Sequence, residues 1–374
     1  MRAVGGAAYG VRVVDRRQVL TFRVRAQQLD RAGGSLADTA VLDIGVQDTG
    51  PDGARWALAV RGVDVTALDD EELVLLWTVR GAPHLYRRAE LPAVAAAVAP
   101  FSDADAGKRI YDAAKPLKAA GIGILAALDE VADRMRAIVT EPTVKGDVSG
   151  RLGELLPEPY LRSCRPCNAT HVYEMPFRLA ALRAGLELRL DTSPPVLQRI
   201  GGFRKAATPG DRFDLIRAYL RLLGPATPQH VAGYLDAPVK EVKAHWPRDV
   251  VEVPVDGEAR WLLAADEPAL TSAGAPVTRL LGPYDLFLQG KDRDTLVPDR
   301  ARAKELWPVL GRPGAVLVDG DLVGTWRPRK SGKALTVTVQ PWQKLPGATR
   351  EAVTDEAERL AAYRGVSLAG VDFA

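Results

Sequence analysis

The sequence predicts an α+β protein of tandem winged-helix modules followed by a small C-terminal β domain. Three observations support this. The 374 residues exceed what one core usually fills. Apolar patterns of helical period alternate with short strand-like pairs joined by Gly or Pro turns. Beyond Thr278 the chain consists mainly of strand-like runs. We expect units over residues 10–100, 110–205, 211–268 and 277–374.

The unit over residues 211–268 has the clearest pattern. Asp211 and Thr227 are placed to cap two helices, and Asp256-Gly257 favours a tight hairpin turn. The expected elements are helices over 211–223, 228–235 and 238–246 and strands over 250–255 and 260–264. Three helices and a hairpin form the winged-helix layout, whose third helix can enter the major groove. Lys240 and Lys243 on that helix, with Arg248 beyond it, are therefore candidate DNA contacts.

The same order of elements recurs more loosely in the first two units. In the first we expect a helix from Asp15, helices over 36–47 and 54–61, and strands over 73–80 and 84–87. In the second we expect helices over 124–139, 148–156 and 172–184, with strands over 186–190 and 196–200. Because the spacings differ too much for a regular repeat, three divergent copies of one module fit better.

The last unit is predicted to be a small β structure closed by a helix. Its expected elements are strands over 315–318, 322–326 and 334–340 and a helix over 350–363. The hairpin between the last two strands is basic and carries Arg327, Arg329, Lys330 and Lys333. Arg327 and Lys330 are candidate phosphate contacts; a solvated hairpin tip is the equally good alternative.

Composition excludes several classes of protein. With 47% hydrophobic and 26% charged residues, the chain has the composition of a globular, soluble protein. No apolar run approaches the ~20 residues of a membrane span, and no secretion signal is evident. Two cysteines are too few for a disulfide framework, so we expect a cytoplasmic protein without membrane contact. A net charge of +3 permits DNA binding without requiring it.

The motifs for cofactors are weak or missing. Cys164, Cys167 and His171 have metal-like spacing, but three ligands are incomplete for structural zinc. We favour a cysteine-containing loop with a packed histidine, and therefore no metal. No Gly-rich phosphate loop occurs, so no nucleotide or other cofactor is expected.

One polar cluster interrupts an otherwise apolar segment over residues 41–49. If this segment is helical, Asp43 and Gln47 share a face and Asp48 follows. Composition alone would make them capping residues at the end of a helix.

Five segments together resemble a known family. They are Gly45 to Asp48, Trp77 to Leu85, the winged helix from Asp211 to Asp266, Leu280 to Arg293, and Gly324 to Arg327. In this order they resemble the helix-turn-helix DNA glycosylases typified by AlkZ, over most of the chain. The resemblance implies three tandem winged helices and a β domain around a concave channel for double-stranded DNA. It also implies that Arg80 and His84 contact a phosphate or a flipped base, although both residues could simply pin their hairpin.

The resemblance also implies a catalytic motif of the form Gln-x-Gln. Gln47 matches the second glutamine, whereas Gly45 stands in place of the first. A carboxamide accepts and donates hydrogen bonds, so it can orient a water under a flipped nucleotide. Asp48, or Asp43, would then substitute for the missing group, with Asp48 preferred. Loss of the first glutamine is equally compatible with an enzyme that acts on a different DNA lesion, with weak glycosylase activity, or with no activity.

These inferences leave functions of different classes open. The first is a monofunctional DNA glycosylase that removes alkylated or bulky purines by water attack. The second is a non-catalytic winged-helix protein with a DNA-binding or regulatory role. The third is an interaction module whose winged helices bind protein.

Overall fold

The protein is a mixed α and β structure with several small sheets. The computed structural model describes residues 14–50, 52–164 and 168–374, so Cys167 lies outside the described residues. The sheets formed by these residues have six, five, two and two strands. Within the described ranges no helix combines the length and the hydropathy needed to cross a membrane.

Helices and strands are numbered in chain order. The helices are α1 Arg16–Ala26, α2 Gly53–Ala59, α3 Leu91–Ala97, α4 Asp103–Arg109, α5 Ala114–Ala119, α6 Ile124–Ile138, α7 Lys145–Leu155, α8 Glu174–Arg183, α9 Gly210–Phe213, α10 Leu215–Leu223, α11 Pro228–Leu235, α12 Val239–Ala244, α13 Arg293–Leu296, α14 Arg300–Leu306 and α15 Gly347–Tyr363. The strands are β1 Val46–Gln47, β2 Leu73–Trp77, β3 Pro83–Arg87, β4 Thr143–Val144, β5 Leu161–Cys164, β6 Ala169–Val172, β7 Leu186–Leu188, β8 Val196–Arg199, β9 Val250–Val255, β10 Glu258–Leu263, β11 Thr278–Leu281, β12 Gly314–Val318, β13 Asp321–Ser331, β14 Ala334–Pro341 and β15 Ser367–Phe373.

The unit over residues 211–268 has the expected order, three helices (α10, α11 and α12) followed by the β9–β10 hairpin. Thr227 caps α11, because its hydroxyl accepts from the His230 amide at 3.2 Å. The expected cap at Asp211 is wrong. Asp214 has non-helical backbone angles, with a φ of -53° and a ψ of 120°, which separate α9 from α10, and its carboxylate accepts from the Arg217 amide at 2.9 Å.

The predicted helix over residues 36–47 is wrong. Only a short 3-10 turn, Ala40–Asp43, forms there, and Gly45 then adopts a φ of +90°. That backbone conformation ends a helix and is open mainly to glycine. Val46 and Gln47 continue instead as strand β1, paired with Leu85 and His84 of β3. The shared helical face that was expected for Asp43 and Gln47 does not exist.

The six-stranded sheet combines strands from the first two predicted units, in the order β1-β3-β2-β7-β8-β4. Leu75 of β2 pairs with Leu188 of β7, which joins the two halves. All five residues of β2 are buried, so this strand is covered on both faces. The core of this sheet continues into α10 and α11. Because β1 stands first in this strand order, it is an edge strand, and it carries Gln47.

The C-terminal sheet has the order β11-β12-β13-β14-β15, and α15 packs against it. Its two outer strands, β11 and β15, are not among the elements that the sequence predicts. Residues of α1 and α2, including Leu20 and Trp56, complete its core. The Trp56 indole nitrogen donates to the Leu280 carbonyl at 2.7 Å. The first unit and the β unit therefore share a core beside β1.

Candidate active site

Gln47 lies at the junction of the two cores, where it borders two cavities. One cavity, of about 210 Å³, lies between the start of α2 and strand β13. The other, of about 320 Å³, is bordered by Arg80 and the segment from Pro283 to Arg293. Side chains alternate along a strand, so Val46 enters the core and Gln47 faces these cavities. The larger cavity is within the usual size range of ligand sites.

The Gln47 carboxamide is held on both of its ends. Its nitrogen donates to the Thr49 hydroxyl at 3.1 Å, and its oxygen accepts from the Arg80 guanidinium at 3.4 Å. A carboxamide oxygen has two lone pairs. One acceptor site thus remains for a group that enters the cavity.

Arg80 joins Gln47 to a second glutamine from a distant segment. Its backbone is left-handed, with a φ of 58°, and its guanidinium donates to the Tyr234 carbonyl at 2.7 Å. The same guanidinium donates to the oxygen of Gln289, whose nitrogen in turn donates to the Tyr284 carbonyl at 2.7 Å. Arg80 therefore clamps two carboxamides against one cavity.

The structure gives a physical reason for glycine at position 45. A Cβ atom there would lie 2.4 Å from the hydroxyl oxygen and ring of Tyr86, in addition to the strain of the positive φ. Tyr86 is buried, and its hydroxyl is 2.9 Å from the Thr78 hydroxyl. A glutamine at position 45 would have to displace Tyr86. Gln289 supplies a second carboxamide near Gln47. The sequence does not predict this role, because the position of Gln289 depends on contacts between residues far apart in the chain.

The two predicted aspartates lie outside both cavities. Asp48 accepts from the Ala54 amide at 2.8 Å, so it caps the start of α2. Asp43 is buried and forms ion pairs with Arg87 at 2.8 Å and Arg212 at 3.0 Å. Neither carboxylate lines a cavity wall. This geometry favours structural roles for both.

His84 is fully buried next to Gln47 in the sheet. Its Nδ1 lies 2.9 Å from the Ala82 carbonyl oxygen and 3.1 Å from the Thr78 hydroxyl. Burial, and secondarily the charge of Arg80, lowers the pKa of His84 to about 3. The ring is therefore neutral at physiological pH. It cannot reach a phosphate, and the geometry supports the alternative that it pins the hairpin.

The larger cavity is strongly basic. Among the residues that the structure describes, its wall contains no aspartate or glutamate, and its basic residues are Arg80, Lys291, Arg293 and Arg312. Burial, and then the neighbouring Arg80, lowers the pKa of Lys291 to about 8. Low-dielectric walls of one charge sign concentrate the field, so this cavity attracts anions such as phosphates.

The arginines of this cavity lie over aromatic rings. The guanidinium of Arg293 is 4.8 Å from the ring centre of Trp307, and that of Arg312 is 5.4 Å from Tyr284. Such stacking positions a cation without using its N–H donors. The Nε of Arg312 donates to the Pro308 carbonyl at 3.4 Å, so the terminal nitrogens of these arginines are the donors that can bind a nucleic-acid backbone.

The other predicted DNA contacts are exposed. Lys240, Lys243 and Arg248 lie at the surface of the third unit, outside both cavity walls. Arg327 and Lys330 are exposed on β13, and Arg327 also borders the smaller cavity beside Gln47.

Cys164 and His171 lie on the paired strands β5 and β6. Over the described ranges no three His, Cys, Asp or Glu side chains are grouped to hold a metal ion.

Comparison with known proteins identifies a family match and a structural relative. The family model described as "DNA glycosylase AlkZ-like" matches residues 19–363. A search of curated proteins finds no match. Among solved structures, the Streptomyces sahachiroi DNA glycosylase AlkZ is similar, with a TM-score of 0.73 and 22% identity. The match covers 97% of this chain and 100% of that chain. At this identity the likeness is evidence for the fold alone.

Proposed function

Because the chain belongs to the AlkZ-like family of DNA glycosylases, we propose that it is a monofunctional enzyme for alkylated or bulky purines in double-stranded DNA. The observation that carries this proposal is the Gln47 carboxamide, held by Arg80 at the wall of a basic cavity. The bond to be broken joins the sugar C1′ to the purine nitrogen, and water supplies the new oxygen.

The site matches the needs of this reaction. An N-alkylated purine is already cationic, so the electron pair of the breaking bond neutralises it and no strong acid is required. The remaining tasks are to orient a water and to stabilise an oxocarbenium-like sugar. Gln47 accepts a hydrogen bond from the attacking water through its free lone pair. The water loses its proton to solvent, and Arg80 keeps the amide oriented.

We also propose that the fold consists of tandem winged helices around the DNA. The helices α10 to α12 and the β9–β10 hairpin support this for the third unit. In the first unit, α1 and α2 precede the β2–β3 pair, and in the second α6, α7 and α8 precede the β7–β8 pair. We place the catalytic motif in the first unit and exposed phosphate contacts in the third and the last.

An excision assay tests the catalytic proposal. A duplex with one N7-alkylguanine is incubated with the purified protein, and abasic sites are then cleaved with alkali. We expect strand breaks that depend on both protein and alkali. Breaks without alkali would contradict the monofunctional part and would implicate the Lys291 amine in the site.

Glycine at position 45 favours one second candidate, a DNA-binding protein without catalysis. Tyr86 fills the space that a first motif glutamine would need. Tight duplex binding without base release from any alkylated substrate would establish this alternative.

The exposed cations are expected to control the salt dependence of DNA binding. Replacement of Lys240, Lys243 and Arg248 together by alanine should make the plot of log K against log salt shallower. Each lost phosphate contact contributes about 0.9 to that slope, and the Arg327→Ala, Lys330→Ala pair should act in the same direction. Fluorescence anisotropy at several salt concentrations measures this.

The matched control keeps the charge of the third unit. The triple variant Lys240→Arg, Lys243→Arg and Arg248→Lys should retain the wild-type slope. An unchanged slope in the alanine triple variant would remove these residues from the DNA interface.

A further inference from the structure

Two large apolar side chains stand in solvent at the tip of one loop. Val309 is 94% exposed and Leu310 is 85% exposed, in the connection between α14 and β12. In the described part of the chain the other exposed large apolar residues are Tyr111 and Leu155, at 53% and 52%. Isolated exposed apolar residues are common on protein surfaces. Two adjacent ones, almost fully exposed, are not explained by folding.

This tip projects from the rim of the cavity that Gln47 borders. Trp307 and Arg312, on either side of the tip, both line that cavity. The Trp307 indole nitrogen donates to the Leu288 carbonyl at 3.2 Å, and the Arg327 guanidinium donates to the Gly311 carbonyl at 2.7 Å. The base of the loop is thus tied to the cavity wall on one side and to β13 on the other.

The backbone of the loop is also restricted. Pro308 directly precedes the tip and Pro313 follows it, and each ring fixes one φ angle. The Arg312 guanidinium lies over the Tyr284 ring at 5.4 Å. A firmly held base with a bare apolar tip is the shape of a wedge.

We propose that Val309 and Leu310 enter the duplex base stack and fill the gap left by the nucleotide that turns into the Gln47 cavity. This rests on the proposed glycosylase function. Extrusion of a base loses its stacking and pairing, which costs free energy. Apolar side chains inserted between base steps offset this loss and kink the duplex. Arg312 and Arg327, which flank the tip, are placed to hold the adjacent phosphates.

The test uses the double variant Val309→Ser, Leu310→Ser. Because both side chains are exposed, the substitutions remove no core packing, and an unchanged melting temperature confirms this. The first readout is the fluorescence of 2-aminopurine next to an uncleavable abasic analogue in a duplex. Wild-type protein should raise the fluorescence on binding by unstacking the probe, and the double variant should lose this rise at saturating protein.

The second readout separates flipping from chemistry. Single-turnover excision of N7-methylguanine from a duplex should fall about tenfold or more in the double variant, as each 1.4 kcal/mol of lost flipping energy is worth a factor of ten. Excision from a single strand with the same lesion should stay near wild type, because a single strand needs no extrusion. Leu155→Ser, an exposed leucine at the end of α7, is the matched control and should change neither readout.

The two proposals fail in different ways. A wild-type fluorescence rise in the double variant would overturn the wedge, whether or not excision occurs. If the fluorescence rises with the wild-type protein but not with the double variant, and neither protein excises a base, the wedge is supported and the glycosylase proposal is contradicted. Absence of duplex binding by the wild-type protein would overturn both.

Discussion

Gln47→Ala is expected to lower the single-turnover rate of base excision by about 10²–10³-fold, the range seen when one preorganised hydrogen-bonding group is removed from an active site. Its carboxamide faces the basic cavity, and Arg80 fixes its orientation. In the proposed mechanism the side chain acts on water and sugar rather than on the phosphates, so duplex affinity should change little. A loss in rate without a loss in affinity identifies an interaction made in the transition state. The measurement is excision under excess protein together with anisotropy on the same duplex.

Asp48→Asn is the matched control for this prediction. Asparagine keeps a carbonyl oxygen that can accept from the Ala54 amide, as Asp48 does at 2.8 Å, so α2 stays capped. We expect activity near wild type. Full activity in Gln47→Ala combined with loss in Asp48→Asn would assign the catalytic role to Asp48 instead.

Elements with a strong local pattern were predicted well from the sequence. The helix α11 begins after the expected Thr227 cap, and β9 covers the expected residues 250–255. The helix α6 ends one residue before the expected end of its apolar pattern, which reached residue 139. In these segments a local signal, either a cap or a periodicity, agrees with the tertiary fold.

The failures have long-range causes. The residue spacing of the polar segment around Gln47 predicts a helix, whereas the φ of Gly45 and the pairing with β3 make it a strand. Neither the backbone angle of Gly45 nor the pairing with β3 can be deduced from the local sequence pattern. Gln289 could not be chosen because its contact with Arg80 joins residues far apart in the chain. For His84 the sequence leaves a DNA contact and a hairpin role equally open, and its burial favours the hairpin role.

The segment that carries Tyr284 and Gln289 is held in place by buried charges. The side chains of Arg61 and Asp285 are both 0% exposed, and two hydrogen bonds of 2.7 and 2.9 Å join them. Asp285 also accepts from the Phe287 amide at 2.9 Å, which starts the 3-10 turn that ends at Gln289. One carboxylate thus links the turn after α2, which carries Arg61, to the wall of the larger cavity that Gln47 borders.

Asp285→Ala should therefore lower the free energy of unfolding by about 3–5 kcal/mol, because removal of one partner leaves the other charge buried and unpaired. Urea unfolding followed by circular dichroism measures this. Asp285→Asn keeps the shape and the acceptor for the Phe287 amide, so it should lose less.

The matched control for this loss of stability is Asp321→Ala. Asp321 pairs with Arg16 at 2.6 Å, but the two side chains are 48% and 29% exposed. Water screens such a pair, so its loss should cost at most about 1 kcal/mol. Equal losses in Asp285→Ala and Asp321→Ala would contradict the idea that burial of the charge is what matters. If Asp285→Ala is as destabilising as expected, excision should also fail at temperatures where the wild type remains active, since the turn that positions Gln289 against Arg80 loses its anchor.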